Sequence, residues 1–374
     1  MRTTLYSSII DDMDYDGDPI HIENMHAAQN AVDVDEDDSS SSSDSSSDYE
    51  PDPPRRPVSA RNVASNEHRN PLQDKNNHVW SREFPRQGRR GTANVIRREG
   101  GPNPESRCDT IRQTWELFFT EEILTEILRC SQLKLDSLQL ENAHILTLAS
   151  LKCYFGILYY RGANEDTKIP IQELWSEQYS TFYRTAMSRS MFQLWNRILR
   201  FDEPEGRADR LRTDTFAAFR NIFELLNARL SMFLTPSHSI TVDEQLVASK
   251  CRSPHRIYCP KKPGKYGELI RWICDSYFNY FLHGFPLTKR PQDEHAAAEH
   301  KDRNKAYSIV MNLAEPFLDG GRNITADRFF GSQALAEDLL ERRTTYVGTL
   351  ASNKRFIPGE LRTETEQFES RFVF

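Results

Sequence analysis

The chain has 374 residues, which is enough for one large or two ordinary domains. Its net charge of −7 is unevenly spread: residues 1 to 54 contain fifteen acidic residues and one basic residue, whereas residues 55 to 110 contain twelve basic and six acidic ones. No apolar run reaches the length of a membrane helix, and the N-terminal stretch lacks the apolar centre of a signal peptide. The composition argues against a membrane protein and predicts a soluble intracellular one.

The N-terminal tail, residues 1–77, contains the low-complexity segment DVDEDDSSSSSDSSSDYEPDPP. Such a segment cannot bury enough apolar surface to offset the entropy of ordering it, so we expect the tail to be disordered. Its serines lie among acids, a context that acid-directed kinases favour. A solvated tail that keeps the chain soluble explains the same composition.

Arginine is spread through the polar sequence that follows the acidic tract, and residues 78–110 are interpreted as a basic linker arm. This segment can serve nuclear import or contact phosphates, although basic clusters of this density also arise by chance. The arginines proposed to contact DNA are Arg89, Arg90, Arg97 and Arg98.

Residues 111–235 have the periodicity of a helical domain, interpreted as serving dimerisation or DNA binding. The first helical stretch has Thr120 as a candidate cap, followed by Glu121 and Glu122 in the favourable first turn. Helices are also predicted in HILTLASLKCYFGILYYRG, SRSMFQLWNRILRF and TFAAFRNIFELLNARLSMFL. The aromatic side chains here are interpreted as core rather than as a nucleotide platform: Trp195, Phe216, Phe219 and Phe223.

Residues 236–374 change to alternating β sequence. Three successive strands, SITVDEQL, HRIYCPKKPGKYGELIRWICD around a basic turn, and YFNYFLHGFPL, precede a helix, the strand RNITADRFF, a helix and the strand TYVGTL. This order predicts an α/β fold in which a ribonuclease H-like mixed sheet is flanked by helices, preceded by the all-helical domain and the disordered tail.

Two predicted strands of this sheet end in aspartates, Asp243 and Asp327. Two-metal phosphoryl transfer needs carboxylates from separate elements that converge on divalent ions, and two strand-borne aspartates in this order fit that need. Each aspartate by itself is equally explained as the start of a turn or the cap of a following helix. The pair therefore predicts neighbouring strands and a candidate metal site.

Five short stretches in order resemble the piggyBac transposases and their domesticated relatives: LFFTEEILTEIL, TVDEQL, RSPHRIYCPKKPGKYG, NITADRFFGSQALAEDLL and VGTLASNKRFIPGEL. The resemblance implies that Asp243 and Asp327 are the first two catalytic metal ligands of a DDE recombinase. It further implies Mg²⁺ or Mn²⁺ as the metal, DNA as the partner at transposon ends or TTAA-like sites, a homodimer, and a nuclear location.

The sequence departs from the family pattern after the last predicted strand. In the family the third catalytic acid lies on a later helix, whereas here the stretch from Glu341 onward contains no aspartate and only polar-segment glutamates: Glu360, Glu364, Glu366 and Glu369. The family's cysteine-rich zinc module is also missing, and the six cysteines form no CxxC pair, so no zinc is expected in this chain. The sequence predicts a C-terminally truncated family member with little or no nuclease activity.

Two further features had competing interpretations. Glu244 follows Asp243 on a strand, where successive side chains point to opposite faces, so it is interpreted as a structural residue. The basic turn either contacts DNA or is the solvated tip of a hairpin, and the DNA contact is favoured. The residues proposed to contact DNA are Arg252, Arg256, Lys261, Lys262 and Lys265.

Two functions therefore remain open from the sequence. The first is a transposase-derived DNA-binding protein without a complete catalytic site. The second is a DDE transposase that cleaves and joins DNA strands and whose third acid is supplied from outside this sequence or by a partner.

Overall fold

The computed structural model describes residues 71–83, 95–96, 99–140, 145–251, 253, 255–288 and 305–362. Residues 1–70, 289–304 and 363–374 are among those that lie outside this description, and the prediction of disorder for the tail falls largely on the first of these ranges. In the described ranges, no helix is long and apolar enough to cross a membrane.

Ten α-helices are present in the described part of the chain, eight of them before the main sheet. Their bounds are Ile111–Phe118 (α1), Glu121–Ser137 (α2), Leu148–Ala163 (α3), Ile171–Leu174 (α4), Thr181–Ala186 (α5), Arg189–Ile198 (α6), Arg207–Thr213 (α7), Ala217–Leu230 (α8), Lys305–Ala314 (α9) and Gln333–Glu341 (α10). Short 3₁₀ turns occupy Pro104–Ser106, Asp166–Lys168, Glu315–Phe317 and Gly359–Arg362.

Local sequence sets the ends of the main helices. The Thr120 hydroxyl accepts a hydrogen bond from the Ile123 N–H and so caps α2, as predicted, because the first N–H groups of a helix lack partners inside it. Glu121 and Glu122 occupy the first turn of α2, where the helix dipole favours acids. Thr147 caps α3 in the same way.

The helical domain is organised around one apolar core. Fully buried side chains from α2, α3, α5 and α6 meet there, among them Ile127, Leu158, Tyr183, Phe192 and Trp195. Trp195 is buried, as expected, and lies against Tyr154 with ring centroids 5.7 Å apart.

Within the described residues, ten strands form three sheets. Their bounds are Leu72–Gln73 (β1), Val79–Trp80 (β2), Gly101–Pro102 (β3), Leu234–Thr235 (β4), Ser239–Ala248 (β5), Ile257–Tyr258 (β6), Tyr266–Asp275 (β7), Tyr280–Pro286 (β8), Asn323–Ala326 (β9) and Thr345–Gly348 (β10). The six-stranded main sheet has the order β10-β9-β5-β7, with β6 and β8 both paired to β7.

The main sheet is mixed, as predicted. Strand β7 pairs antiparallel with β5, β6 and β8, whereas β9 pairs parallel with both β5 and β10. One face packs on α9 and α10 through apolar side chains that include Ile240, Val242, Ile273 and Ile324. The other face meets α8, where the rings of Phe223 and Trp272 lie 5.9 Å apart.

A small hairpin precedes the helical domain. Strands β1 and β2 pair across residue 77, the point at which the sequence placed the end of the tail. Asp74 organises the turn, since its carboxylate accepts hydrogen bonds from the backbone of Asn76 and His78 and from the Trp80 indole. The Lys75 N–H reaches the Arg355 carbonyl, so the hairpin is tied to the far end of the fold.

Candidate metal and DNA site

Asp243 and Asp327 belong to two adjacent segments of the main sheet, Asp243 within β5 and Asp327 directly after β9. The parallel register of β5 and β9 pairs Ile240 with Ile324 and Val242 with Ala326. Asp243 is the next residue of β5, and Asp327 is the first residue after β9. Neighbouring strands are about 4.8 Å apart, and paired residues share a face of the sheet. The two predicted strands are therefore neighbours, Asp327 directly follows one of them, and both aspartates are exposed.

Each aspartate also takes part in a local turn. Asp243 Oδ1 accepts a hydrogen bond of 2.7 Å from the Glu244 N–H, and Asp327 Oδ1 accepts one of 3.0 Å from the Phe329 N–H. These bonds fix the orientation of the two carboxylates, and for each of them Oδ2 has no hydrogen-bond partner in the described part of the chain. Each aspartate can therefore stabilise its local turn through Oδ1, the role considered from the sequence, and bind a metal ion through Oδ2.

The donor set fits one hard divalent cation. Carboxylate oxygens from one or two aspartates together with water are the ligands that Mg²⁺ prefers. Within the described residues, no group of three or more His, Cys, Asp or Glu side chains is arranged to hold a metal ion. Asp243 and Asp327 would therefore hold one ion between them, and that ion would supply the charge that activates a water and stabilises a leaving oxygen.

Glu244 is held away from this pair, as the alternation of a strand requires. Its carboxylate lies 3.1 Å from the Arg271 guanidinium, which is buried on the neighbouring strand at the paired position. Because this ion pair is largely shielded from water, Glu244 contributes to the sheet and not to the aspartate pair.

Aromatic and sulfur side chains line the sheet beside Asp243. Trp272 lies opposite Asp243 on β7, and its indole N–H donates to Gln245 Oε1 at 2.9 Å. Gly284 gives the ring its space, because a Cβ there would lie 2.2 Å from the Trp272 ring.

Burial, together with the charges of Asp243 and Asp275, raises the pKa of the Cys274 thiol to about 12. All six cysteines are free.

The basic turn between β6 and β7 folds back along β5. Lys262 Nζ donates a 3.0 Å hydrogen bond to the Glu244 carbonyl, immediately next to Asp243. Lys261 and Lys265 are exposed on the same turn. Arg256 donates to the Lys250 carbonyl at 3.0 Å and lies over the Tyr266 ring.

The predicted DNA contacts divide into two groups. Lys261, Lys262 and Lys265 lie on the β6–β7 turn, and Arg256 directly precedes β6 and lies over the Tyr266 ring. Five other candidates lie outside the described residues, namely Arg89, Arg90, Arg97, Arg98 and Arg252. Sequence reasoning did not single out Tyr258 and Tyr266, although they flank the basic turn at nearly equal distances.

The mixed sheet with its aligned aspartates and flanking helices defines an α/β protein of the DDE transposase class. A family model described as Transposase IS4 matches residues 111–373. The chain belongs to this piggyBac-type transposase family, which confirms the resemblance seen in the sequence.

A solved structure agrees with this assignment. It is the cryo-EM structure of a piggyBac transposase synaptic complex with hairpin DNA, which is 30% identical to this chain with a TM-score of 0.66. The match covers 72% of this chain and 57% of that transposase. The similarity therefore extends to the main sheet, while the chain corresponds to little more than half of the transposase it matches.

Proposed function

We propose that this chain is a transposase-derived DNA-binding protein that holds duplex DNA beside Asp243 and Asp327. The observation that carries the proposal is the hydrogen bond from Lys262 to the Glu244 carbonyl, since it fixes a basic turn beside the aspartate pair. The similar transposase was solved with hairpin DNA, which supports DNA as the ligand. A nuclear location, a homodimer and preference for TTAA-like sites belong to the same proposal.

Charge on the turn is the property to test first. Lys261→Gln with Lys265→Gln removes two exposed cations, so affinity for a labelled duplex should fall about tenfold at physiological salt. The slope of log K against log salt should decrease by about 1.8, because each phosphate contact contributes about 0.9 to it. Fluorescence anisotropy across a salt series measures both quantities.

A matched control uses two exposed lysines elsewhere, Lys168→Gln with Lys305→Gln, which change the net charge equally. This control should leave the salt slope close to that of the parent. If both double variants reduce affinity and slope alike, the turn has no special role and the proposed DNA contact is wrong.

The aspartate pair is expected to bind one divalent ion without cutting DNA. The parent chain should bind Mn²⁺, and Asp243→Asn with Asp327→Asn should abolish that binding, because the change removes both anionic ligands but keeps the side-chain shape. Asp209→Asn, at an exposed site in the helical domain, is the control. Titration calorimetry with Mn²⁺ measures the loss.

The second candidate function, strand cleavage, is tested with the same proteins. A duplex carrying TTAA-flanked ends is incubated with Mg²⁺ or Mn²⁺, and nicking is followed on a gel. We expect none from the parent chain. Nicking that disappears in the double asparagine variant would establish the enzyme, and would mean that a glutamate or a partner chain supplies the third ligand.

A further inference from the structure

Two tyrosine rings stand side by side on the outside of the β6–β7 hairpin. Tyr258 and Tyr266 are paired across the two strands, and their ring centroids are 4.7 Å apart with the planes inclined by 37°. The two residues are 50% and 48% exposed, so half of each remains accessible to a ligand. A cross-strand aromatic pair stabilises a hairpin modestly, which explains the ring contact but not the surroundings.

Those surroundings are strongly basic. The Arg256 guanidinium carbon lies 5.3 Å from the centre of the Tyr266 ring, close enough for a cation–π contact. The sequence from residue 250 to residue 266 contains six lysines and arginines and no acid. An aromatic surface that contacts an arginine and lies on a lysine-rich hairpin fits a ligand that combines a polyanionic backbone with flat apolar faces, which describes a nucleic acid with unpaired bases.

The hairpin backbone is firmly held against the sheet. The Cys259 N–H donates to the Lys265 carbonyl at 2.6 Å, and Lys265 adopts a left-handed conformation with φ of 53°. A Cβ on Gly264 would lie 2.7 Å from the Ala248 Cβ, so only glycine allows this close approach to β5. The rings therefore have a fixed position relative to the aspartates.

The position of the tyrosines determines how far along a bound DNA they lie from the aspartates. Tyr266 lies six residues from Trp272, the residue opposite Asp243, on the same strand. At about 3.3 Å per residue this corresponds to about 20 Å, or about six base steps of a duplex strand.

We propose that Tyr258 and Tyr266 form a stacking platform for unpaired bases of DNA, about 20 Å from the aspartate pair. The proposal rests on the DNA-binding function proposed above and adds a ligand to it. Duplex DNA would contact the lysines through its phosphates, whereas a single-stranded extension or an opened end would place its bases on the rings. Stacking does not depend on sequence, because every base has an aromatic face.

The test compares two labelled DNAs that share one duplex, one blunt and one with a single-stranded extension of about six nucleotides. Tyr258→Leu with Tyr266→Leu should weaken binding of the extended DNA about tenfold or more and change binding of the blunt duplex less than about twofold. Tyr258→Phe with Tyr266→Phe should restore binding of the extended DNA, because phenylalanine keeps the ring. Tyr277→Leu, at an exposed tyrosine in the β7–β8 turn, is the control and should have no effect.

The outcomes separate the two proposals. Equal losses on both DNAs, or no rescue by phenylalanine, would overturn the platform while leaving DNA binding in place. If the parent chain binds neither DNA, the proposed function fails, and the platform fails with it. Tighter and equally tyrosine-dependent binding of an RNA extension would replace DNA with RNA as the ligand.

Discussion

Replacing Asp275 with alanine should lower the free energy of unfolding by about 3–5 kcal/mol. The carboxylate is 1% exposed and accepts three backbone hydrogen bonds, from Ser237 at 2.6 Å, Tyr277 at 3.0 Å and Phe278 at 2.8 Å. Alanine would leave these donors without their acceptor where the chain enters β5 and leaves β7. Each buried donor left unpaired costs about 1–3 kcal/mol.

A nearby cation adds to the expected loss. Burial lowers the pKa of the Arg322 guanidinium, and the charge of Asp275 opposes that shift. Arg322 donates to the carbonyls of Pro236 and Ser237, in the same segment that Asp275 holds. Without Asp275, the partly buried charge of Arg322 would lose its stabilising neighbour.

Urea denaturation of three variants tests this role. Asp275→Asn should fall between the parent and alanine, because an amide keeps one acceptor oxygen but presents N–H groups towards one of the donors. Asp209→Ala, whose side chain is 77% exposed, should change stability by less than about 0.5 kcal/mol. A loss below about 1 kcal/mol for Asp275→Ala would contradict the account of the three hydrogen bonds.

The strands that carry the aspartates could be predicted from sequence because their patterns are local. Ile240 and Val242 alternate with polar residues along β5, and Ile324 and Ala326 do the same along β9. The face that must be buried fixes the register, and the register brings Asp243 and Asp327 together. The cap at Thr120 was predictable for a similar reason, since one side chain satisfies one nearby N–H group.

Elements that depend on distant contacts were not found from the sequence. The helices α4, α5 and α7 span four, six and seven residues, too few to show a helical period. The β1–β2 hairpin consists of two two-residue strands, and its turn contacts Arg355 and Gln333, far along the chain. Nothing local distinguishes such a segment from the tail before it.

The tyrosine pair shows why part of the site was also missed. Tyr258 and Tyr266 become neighbours only through the turn, in which a left-handed Lys265 and a tightly packed Gly264 set the pairing. The sequence shows lysines between two tyrosines. A basic segment can be inferred from them, because net charge is a sum over residues and needs no knowledge of the fold. The stacking surface exists only once the register is known.

Replacing Trp195 is expected to have the second large effect on the free energy of unfolding. The ring is 0% exposed, and Trp195→Ala should lower the free energy of unfolding by about 3–5 kcal/mol, because the helical domain would lose a large apolar surface and gain a cavity. Within the described residues, the indole N–H has no hydrogen-bond partner. Trp195→Phe removes that unpaired donor, and the gain offsets part of the lost packing.

Tyr183→Phe is the matched comparison. Tyr183 is also 0% exposed in the same core, but its hydroxyl donates a hydrogen bond of 2.5 Å to the buried Asp166 carboxylate. Phenylalanine there should cost about 1–3 kcal/mol, because the carboxylate loses a donor. Trp195→Phe should cost less than about 1 kcal/mol, although it deletes more atoms. If denaturant titration shows the tryptophan change to be the costlier of the two, the indole N–H has a partner such as a buried water, and its burial is already compensated.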